Sequence, residues 1–291
     1  MIKPSVNNEY GHLEKVVMCL ANAVDFDATN IPPDLIDEAA MHQAVRHPQR
    51  PYDQALVHRQ QQALAKVIEN NGGDVLWAKP LGSGVAQHYT RDVGFTVGSV
   101  TIVDRPRRPY RRRELEGLDP VLEQIETVAR VTRGCIEGGD VMVDRDTLII
   151  GLGEETDREG IANVEEILSD HGIDMPVRTL EFTHRGVIHT DTLFNIVAEG
   201  VAIIQRDSFG EDDLKWLSSR FELIDATQDE AGGMEINTLA IGGGKVVMLA
   251  PGGRLADEIA KKGLEPILLD YSEVIALPGS FRCTTFPIVR R

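Results

Sequence analysis

The sequence predicts an α/β protein assembled from five strand–strand–helix–strand units, and three observations lead there. Short β-branched runs alternate with amphipathic helical stretches along the 291 residues. The order strand, strand, helix, strand recurs down the chain. The polar residues that enter or punctuate the rounds, Asp92, Asp140, Asp191, Asn237 and Cys283, stand 48, 51, 46 and 46 positions apart. Self-similarity at roughly 50 residues marks a repeat architecture, in which each unit needs its neighbours to bury its apolar face. Five units account for most of the chain. Closing them into a ring would bring the equivalent end of each to one central face, where residues distant in sequence converge. No low-complexity linker divides the chain, so a single domain over residues 1–291 is expected.

Val16-Val17-Met18 opens the first strand. The apolar run Val16 to Val24 follows Glu14-Lys15 and leads into Asp25 and Asp27. Without a basic leader or a cleavage site it reads as a strand, not a signal peptide. The Pro-rich stretch Asp27 to Asp53 mixes helical and loop character and suits a lid or insertion near the pocket. His58 to Asn70 carries Leu64, Val67 and Ile68 at helical spacing, and Asn71-Gly72-Gly73 stops it. Asp74 to Trp77 then reads as a strand. GFTVGS and VTIVDR follow as two strands, with a helix from about Arg111 to Val128 behind them. The third round is DVMVDRDTLIIGLG, TDREGIANVEEILSDHG and PVRTLEF; the fourth is TLFNIVAEGVAIIQR, EDDLKWLSSRF and LIDA. The last is TLAIGGGKVVMLAP, RLADEIAKKG and PILLDY. Trp77 and Trp216 fall in apolar strand and helix patterns, where core packing is the default.

Charge narrows the function. Thirty Lys and Arg against 46 Asp and Glu leave a net −16, which repels polyanions and excludes general nucleic-acid binding. Small cationic ligands are tolerated. No window approaches the roughly 20 consecutive apolar residues that cross a bilayer. Cys19, Cys135 and Cys283 are odd in number and widely spaced, which makes neither a disulfide framework nor a zinc pattern. A reducing, cytoplasmic setting is expected. Cys19, in the first strand, reads as structural and Cys135 as packing.

Four short strings carry polar chemistry. Ile136-Glu137-Gly138-Gly139-Asp140 starts a strand: its glycines permit a tight turn or a close approach, and its acids face one region. Read alone, it is equally a turn with solvated acids. In His189-Thr190-Asp191 an extended backbone points His189 and Asp191 to the same side. Gly279-Ser280-Phe281-Arg282-Cys283 ends on a cysteine, a residue more often a small buried hydrophobe than a nucleophile. Thr90-Arg91-Asp92 on its own is an ordinary ion pair. Together, a Cys, a His and three acids at one repeat period are what a nucleophilic site assembled from several units requires.

These residues resemble the guanidino-group-modifying enzymes of the pentein fold, a five-bladed α/β propeller whose members include arginine deiminases, dimethylarginine dimethylaminohydrolases and amidinotransferases. TRD at 90–92, EGGD at 137–140, HTD at 189–191 and RCTTFPIVR at 282–290 carry the resemblance, with GLGEETDREGI at 151–161 and EYGHLEKVVM from residue 9 extending it over nearly the whole chain. It implies that Asp92 and Asp191 grip a planar guanidinium through bidentate, charge-assisted hydrogen bonds. It implies further that Cys283 attacks the central carbon as a thiolate, giving a covalent S-alkylthiouronium intermediate. His189 would protonate the leaving amine and then deprotonate water, with Glu137 orienting it. Asp140, Arg91 and Arg282 complete the implied substrate-binding set, and neither metal nor organic cofactor is implied.

An acid at position 191 resembles the arginine deiminases rather than many dimethylargininases, whereas the short chain favours a minimal hydrolase. A substrate carboxylate would need a cation, for which Arg282, Arg133, Arg185 and the cluster Arg105, Arg107, Arg108, Arg111, Arg112 and Arg113 are candidates. That cluster reads first as a solvated face or a subunit contact, and Arg91 as a brace for the adjacent acids. The expected partner is a small cationic guanidino compound, with no nucleic acid or membrane, and a homo-oligomer is compatible. Next to His189, Cys283 is expected to alkylate faster than Cys19 or Cys135. Two rivals remain: an amidinotransferase passing the group to an amine, and a non-catalytic propeller such as a ribosome anti-association factor.

Overall fold

The structure, a computed structural model, describes residues 1–21, 53–81, 86–109, 111–277 and 279–291. Five three-stranded sheets repeat one plan: two antiparallel strands, then a third strand parallel to the middle one. The second sheet holds β3 (Gly94–Val97), β4 (Val100–Val103) and β5 (Val128–Arg130). The third holds β6 (Val141–Asp144), β7 (Thr147–Leu152) and β8 (Val177–Glu181); the fourth, β9 (Phe194–Ala198), β10 (Val201–Ile204) and β11 (Glu222–Asp225); the fifth, β12 (Leu239–Gly242), β13 (Lys245–Leu249) and β14 (Glu265–Leu269). The remaining sheet takes β1 (Leu13–Met18) and β2 (Asp74–Trp77) from the start of the chain and β15 (Phe286–Arg290) from its end, in the order β15-β1-β2. Pairing of β15 with β1 joins the two ends of the chain. This is the expected strand–strand–helix–strand repeat.

The helices that cross to the third strands are α1 (Gln54–Asn70), α2 (Asp119–Leu122), α3 (Arg158–Asp170), α4 (Glu211–Arg220) and, past the short α5 (Gln228–Gly232), α6 (Arg254–Lys261). The Asp53 carboxylate caps α1 by accepting the Leu56 amide, and Val57, Leu64, Ala65 and Ile68 face the core. Among the inner strands, β3, β6, β12 and β15 are buried at every residue, the polar Thr96, Asp144 and Arg290 included. Inner strands also meet their neighbours, β15 against β3 and β9 against β12, which places their N-terminal turns together.

Three expectations change. The helix expected from Arg111 to Val128 is a 3₁₀ stretch, Arg111–Leu118, followed by the four-residue α2. Pro120, lacking an N–H, is accepted in the first turn of a helix but not in the middle of one, so the long helix splits there. Trp77 is 40% exposed because β2 is an outer strand, and Trp216 is half-buried beneath the guanidinium groups of Arg178 and Arg220, 5.2 and 5.8 Å from its ring. The proposed lid at Asp27 to Asp53 and the end of the first apolar run lie outside the described residues, Asp53 apart. Helix α5, closed by a Thr227–Glu230 capping box, was not foreseen. Among the described residues no helix is long and apolar enough to cross a membrane.

Candidate active site

A single 3₁₀ turn leads into the inner strand of three sheets: Thr90–Val93 into β3, Gly138–Asp140 into β6 and Thr190–Thr192 into β9. The repeat positions Asp92, Asp140 and Asp191 lie on these turns. Asn237 and Cys283 hold the corresponding places ahead of β12 and β15. A backbone turn of this kind aims its side chain inward and leaves amides that need acceptors. The glycines of EGGD exist for contact. A Cβ on Gly138 would stand 2.3 Å from the Arg91 carbonyl oxygen, and one on Gly139 would stand 2.5 Å from Cγ of His189.

Catalytic-type groups meet here. His189 Nε2 donates to Glu137 Oε2 at 2.9 Å, and its Nδ1 lies 3.5 Å from Asp92 Oδ1. The Cys283 thiol faces the Asp191 carboxylate at 3.8 and 3.9 Å. Asp92 is also near enough to act on the thiol, so the sulfur and the imidazole border one pair of carboxylates. All five side chains are buried, Cys283 with 2% of its surface exposed.

The electrostatics separate the two reactive groups. Burial, then Asp191, then Asp92 push the Cys283 thiol well above its ordinary value, so the unliganded site holds it protonated. Burial alone would discharge His189, but Asp92 and the hydrogen bond to Glu137 outweigh it and hold the ring as imidazolium. Burial first, and the two carboxylates after it, disfavour the thiolate that fast alkylation would need in the unliganded site.

Three residues expected to touch substrate are committed inside the protein. Asp140 accepts the Thr190 amide at 2.8 Å and the Thr190 and Thr156 hydroxyls at 3.0 and 2.6 Å, which ties the His189 turn to its own. Arg282 donates to Asp191 Oδ2 at 2.9 Å and to the Val141 carbonyl at 2.7 Å, with Glu9 at 3.3 Å. Arg91 donates its amide to the Cys283 carbonyl at 3.0 Å and lies in the field of Arg282, Glu9 and Asp191; burial lowers its pKa to about 9. All three are buried and bonded to protein groups, while Arg91 Nη2 and Arg282 Nε have no hydrogen-bond partner among the described residues.

Several residues escaped the sequence reading. Asn237 sits at a repeat position but had no role. Its Oδ1 accepts the amides of Ser280 and Cys283, both at 3.1 Å, and its Nδ2 donates to the Asp191 carbonyl at 3.2 Å. Arg111, assigned to a solvated cluster, reaches Asp92 at 2.9 Å, Glu137 at 3.3 Å and Glu114 at 3.0 Å. Other members of that cluster are strapped to the α3 side as well, Arg107 to Asp157 at 3.0 Å and Arg108 to Glu155 at 2.9 Å. Asp92, Glu137 and His189 each bring one donor atom within 4.8 Å of the others, a spacing open to a metal ion, yet the Arg111 guanidinium already supplies the positive charge there. Of the carboxylate-binding candidates, Arg133 pairs with Glu166, whereas Arg185 lines a cavity of about 350 Å³ with Leu152, Glu154, Phe182 and His184, on the loop that runs into His189.

The family described as N,N dimethylarginine dimethylhydrolase, eukaryotic, matches residues 37–290. The uncharacterized protein YkgA of Bacillus subtilis (strain 168) is 29% identical, over 99% of this chain and 96% of its own. An N(G),N(G)-dimethylarginine dimethylaminohydrolase of Streptomyces coelicolor is 24% identical, over 79% of this chain and 85% of its own. The solved structure of SxtG, an amidinotransferase from Microseira wollei, superposes with a TM-score of 0.84 at 16% identity, covering 99% of this chain and 97% of that one. The structural likeness concerns the fold, a five-bladed α/β propeller.

Proposed function

The chain belongs to the N,N dimethylarginine dimethylhydrolase family, and from that premise we propose that it is a cofactor-independent hydrolase of linear amidines, acting on the guanidino group of arginine or an arginine derivative. The observation that carries this is the convergence of the Cys283 thiol, the His189–Glu137 pair and the carboxylates of Asp92 and Asp191 on one site. All of residues 1–291 serve as one catalytic unit, working on a small solute in a cytoplasmic setting.

A guanidinium entering between Asp92 and Asp191 neutralises the two acids that hold the thiol protonated. Cys283 then loses its proton to solvent and attacks the guanidinium carbon. The tetrahedral adduct breaks its C–N bond as the His189 imidazolium gives the departing nitrogen its proton. An S-alkylthiouronium remains on Cys283, and His189 is now neutral. Water, losing a proton to His189, adds to the same carbon; the C–S bond breaks and the sulfur leaves with the hydroxyl proton. The products are citrulline and ammonia, or citrulline and a methylamine. Asp140, Asn237, Arg91 and Arg282 keep the five turns in register.

Two predictions arise here. The thiolate absorbance should be absent at neutral pH in the free protein and emerge when a guanidinium ligand is added, and neither signal should occur in Cys283→Ser. Ligand-independent thiolate would overturn the proposed order of events. Asp191→Asn should raise KM while leaving the melting temperature nearly intact, since its amide oxygen still accepts from Arg282. Asp191→Ala instead removes the partner of a buried arginine, at a cost of about 3–5 kcal/mol, and should be unstable first. An unchanged KM in the Asn variant would remove Asp191 from substrate binding.

The reaction itself is tested by a colorimetric ureido-product assay across arginine, methylated arginines and agmatine, with mass spectrometry of the trapped adduct. Ureido product and an amidino mass on Cys283 are expected. A new guanidino compound formed only when glycine, lysine or ornithine is supplied would make the protein an amidinotransferase.

A further inference from the structure

Asp104 is buried just past β4 and takes part in no step described above. Its amide donates to the Val93 carbonyl at 3.1 Å, which sets it beside the turn carrying Asp92. Its Oδ2 accepts the Gly138 amide at 2.6 Å, and the next residue, Arg105, accepts the Ile136 amide at 3.2 Å. The segment 104–105 therefore grips the chain on each side of Glu137. A Cβ on Gly138 would meet the Arg91 carbonyl oxygen at 2.3 Å, so only glycine fits at the residue whose amide Asp104 takes, next to Glu137.

The groups facing Asp104 are Glu137, Asp92 and His189. Burial, reinforced by the two acids and opposed by the Gly138 amide and His189, lifts the Asp104 carboxyl well above the usual range. The carboxyl there takes up a proton more readily than an ordinary aspartate, which eases the crowding of negative charge beside Asp92 and Glu137 while an oxygen still accepts the Gly138 amide. Its other oxygen, Oδ1, has no hydrogen-bond partner among the described residues.

We propose that Asp104 is a positioning residue: by holding the Gly138 amide it fixes Glu137 in the register that meets His189. This rests on the reading of Glu137 and His189 as the working pair. It assigns a task to an aspartate that touches neither the substrate nor the imidazole.

The experiment follows the His189 ring proton by NMR through a pH titration of the unliganded full-length protein, a readout independent of turnover, alongside kcat and KM for whichever guanidino compound is processed. Asp104→Asn keeps the acceptor oxygen for the Gly138 amide, so the His189 titration and kcat should stay close to the parent. Asp104→Ala strands the Gly138 amide and frees Glu137; the His189 titration should move to lower pH, and kcat should fall about 10–100-fold with KM little changed. Should the Ala variant not fold, Asp104→Ser, too short to reach the amide, takes its place. A lowered melting temperature with an unmoved His189 titration would reduce Asp104 to packing and overturn the proposal. Loss in Asp104→Asn equal to that in Asp104→Ala would overturn it too, because the charge or proton, not the acceptor, would then matter. If no guanidino compound turns over, the NMR arm still decides the role of Asp104, while the proposed function fails separately.

Discussion

Cys283→Ser is expected to lose turnover by roughly 10³-fold or more while folding as the parent does. Oxygen replaces sulfur at a buried position where the side chain meets Asp191 at 3.8 and 3.9 Å and the backbone of Ser280, so the exchange disturbs little packing. Chemically it is severe. A serine hydroxyl ionises far less readily than a thiol, and the site has no free base to help, because His189 is already held protonated by Asp92 and Glu137. Offsetting two carboxylates with an incoming guanidinium favours ionisation of a thiol far more readily than that of an alcohol. The measurement is product formation against an unfolding curve and circular dichroism on the same sample, with intact-mass spectrometry after substrate addition. Parent-like turnover in a folded variant would mean that sulfur is not the nucleophile.

How much of this was legible in the sequence depends on the range of the interaction. Strands and helices were readable because each declares itself within ten residues: LIIGL is a β-branched and apolar run, and RQQQALAKVIEN repeats at helical spacing. The ring was readable because five polar residues return at nearly one interval, and those positions prove to be the turns ahead of β3, β6, β9, β12 and β15. What stayed hidden is pairing at long range between charged residues. Nothing in DRPRRPYRRRELE distinguishes Arg111, which enters the site, from Arg112, which donates to the Pro106 carbonyl. Glu9 and Arg282 meet across almost the whole chain, and neither carries a local mark of it. Trp77 went astray for a related reason: a strand pattern does not say whether a strand is central or outermost.

The same limit explains the corrected view of the cysteine. Sequence spacing put a histidine and a cysteine in one site, which suggests a thiol activated by its neighbour. The outcome depends on a sum over several charges. Asp92 and Asp191 press on the sulfur while Arg282 is spent on Asp191 and Glu9, so the sum runs against ionisation. Under the proposed function, an entering cation would offset the two carboxylates, which makes substrate charge part of the chemistry.

Glu137→Gln tests the other half of the site. The carboxylate holds the His189 proton through a 2.9 Å hydrogen bond, and Arg111 lies 3.3 Å behind it. With a neutral amide in its place, kcat should fall about 10²–10⁴-fold, as for loss of general acid–base assistance. The direction of the pH effect follows from the raised pKa of His189. The ring must be protonated to release the amine, so kcat declines as pH rises through that value; removing the Glu137 charge lowers it, and the high-pH limb should move to lower pH. Stability carries the same sign. A histidine whose pKa is raised above its ordinary 6.5 stabilises the fold fully below that pH, and the contribution is lost as pH rises through the raised value. The variant should thus lose more stability at pH 6 than at high pH, while Arg111 keeps Asp92 and Glu114 as partners. A high-pH limb that stays in place, measured beside an unfolding series at both ends of the range, would show that Glu137 does not set the charge of His189.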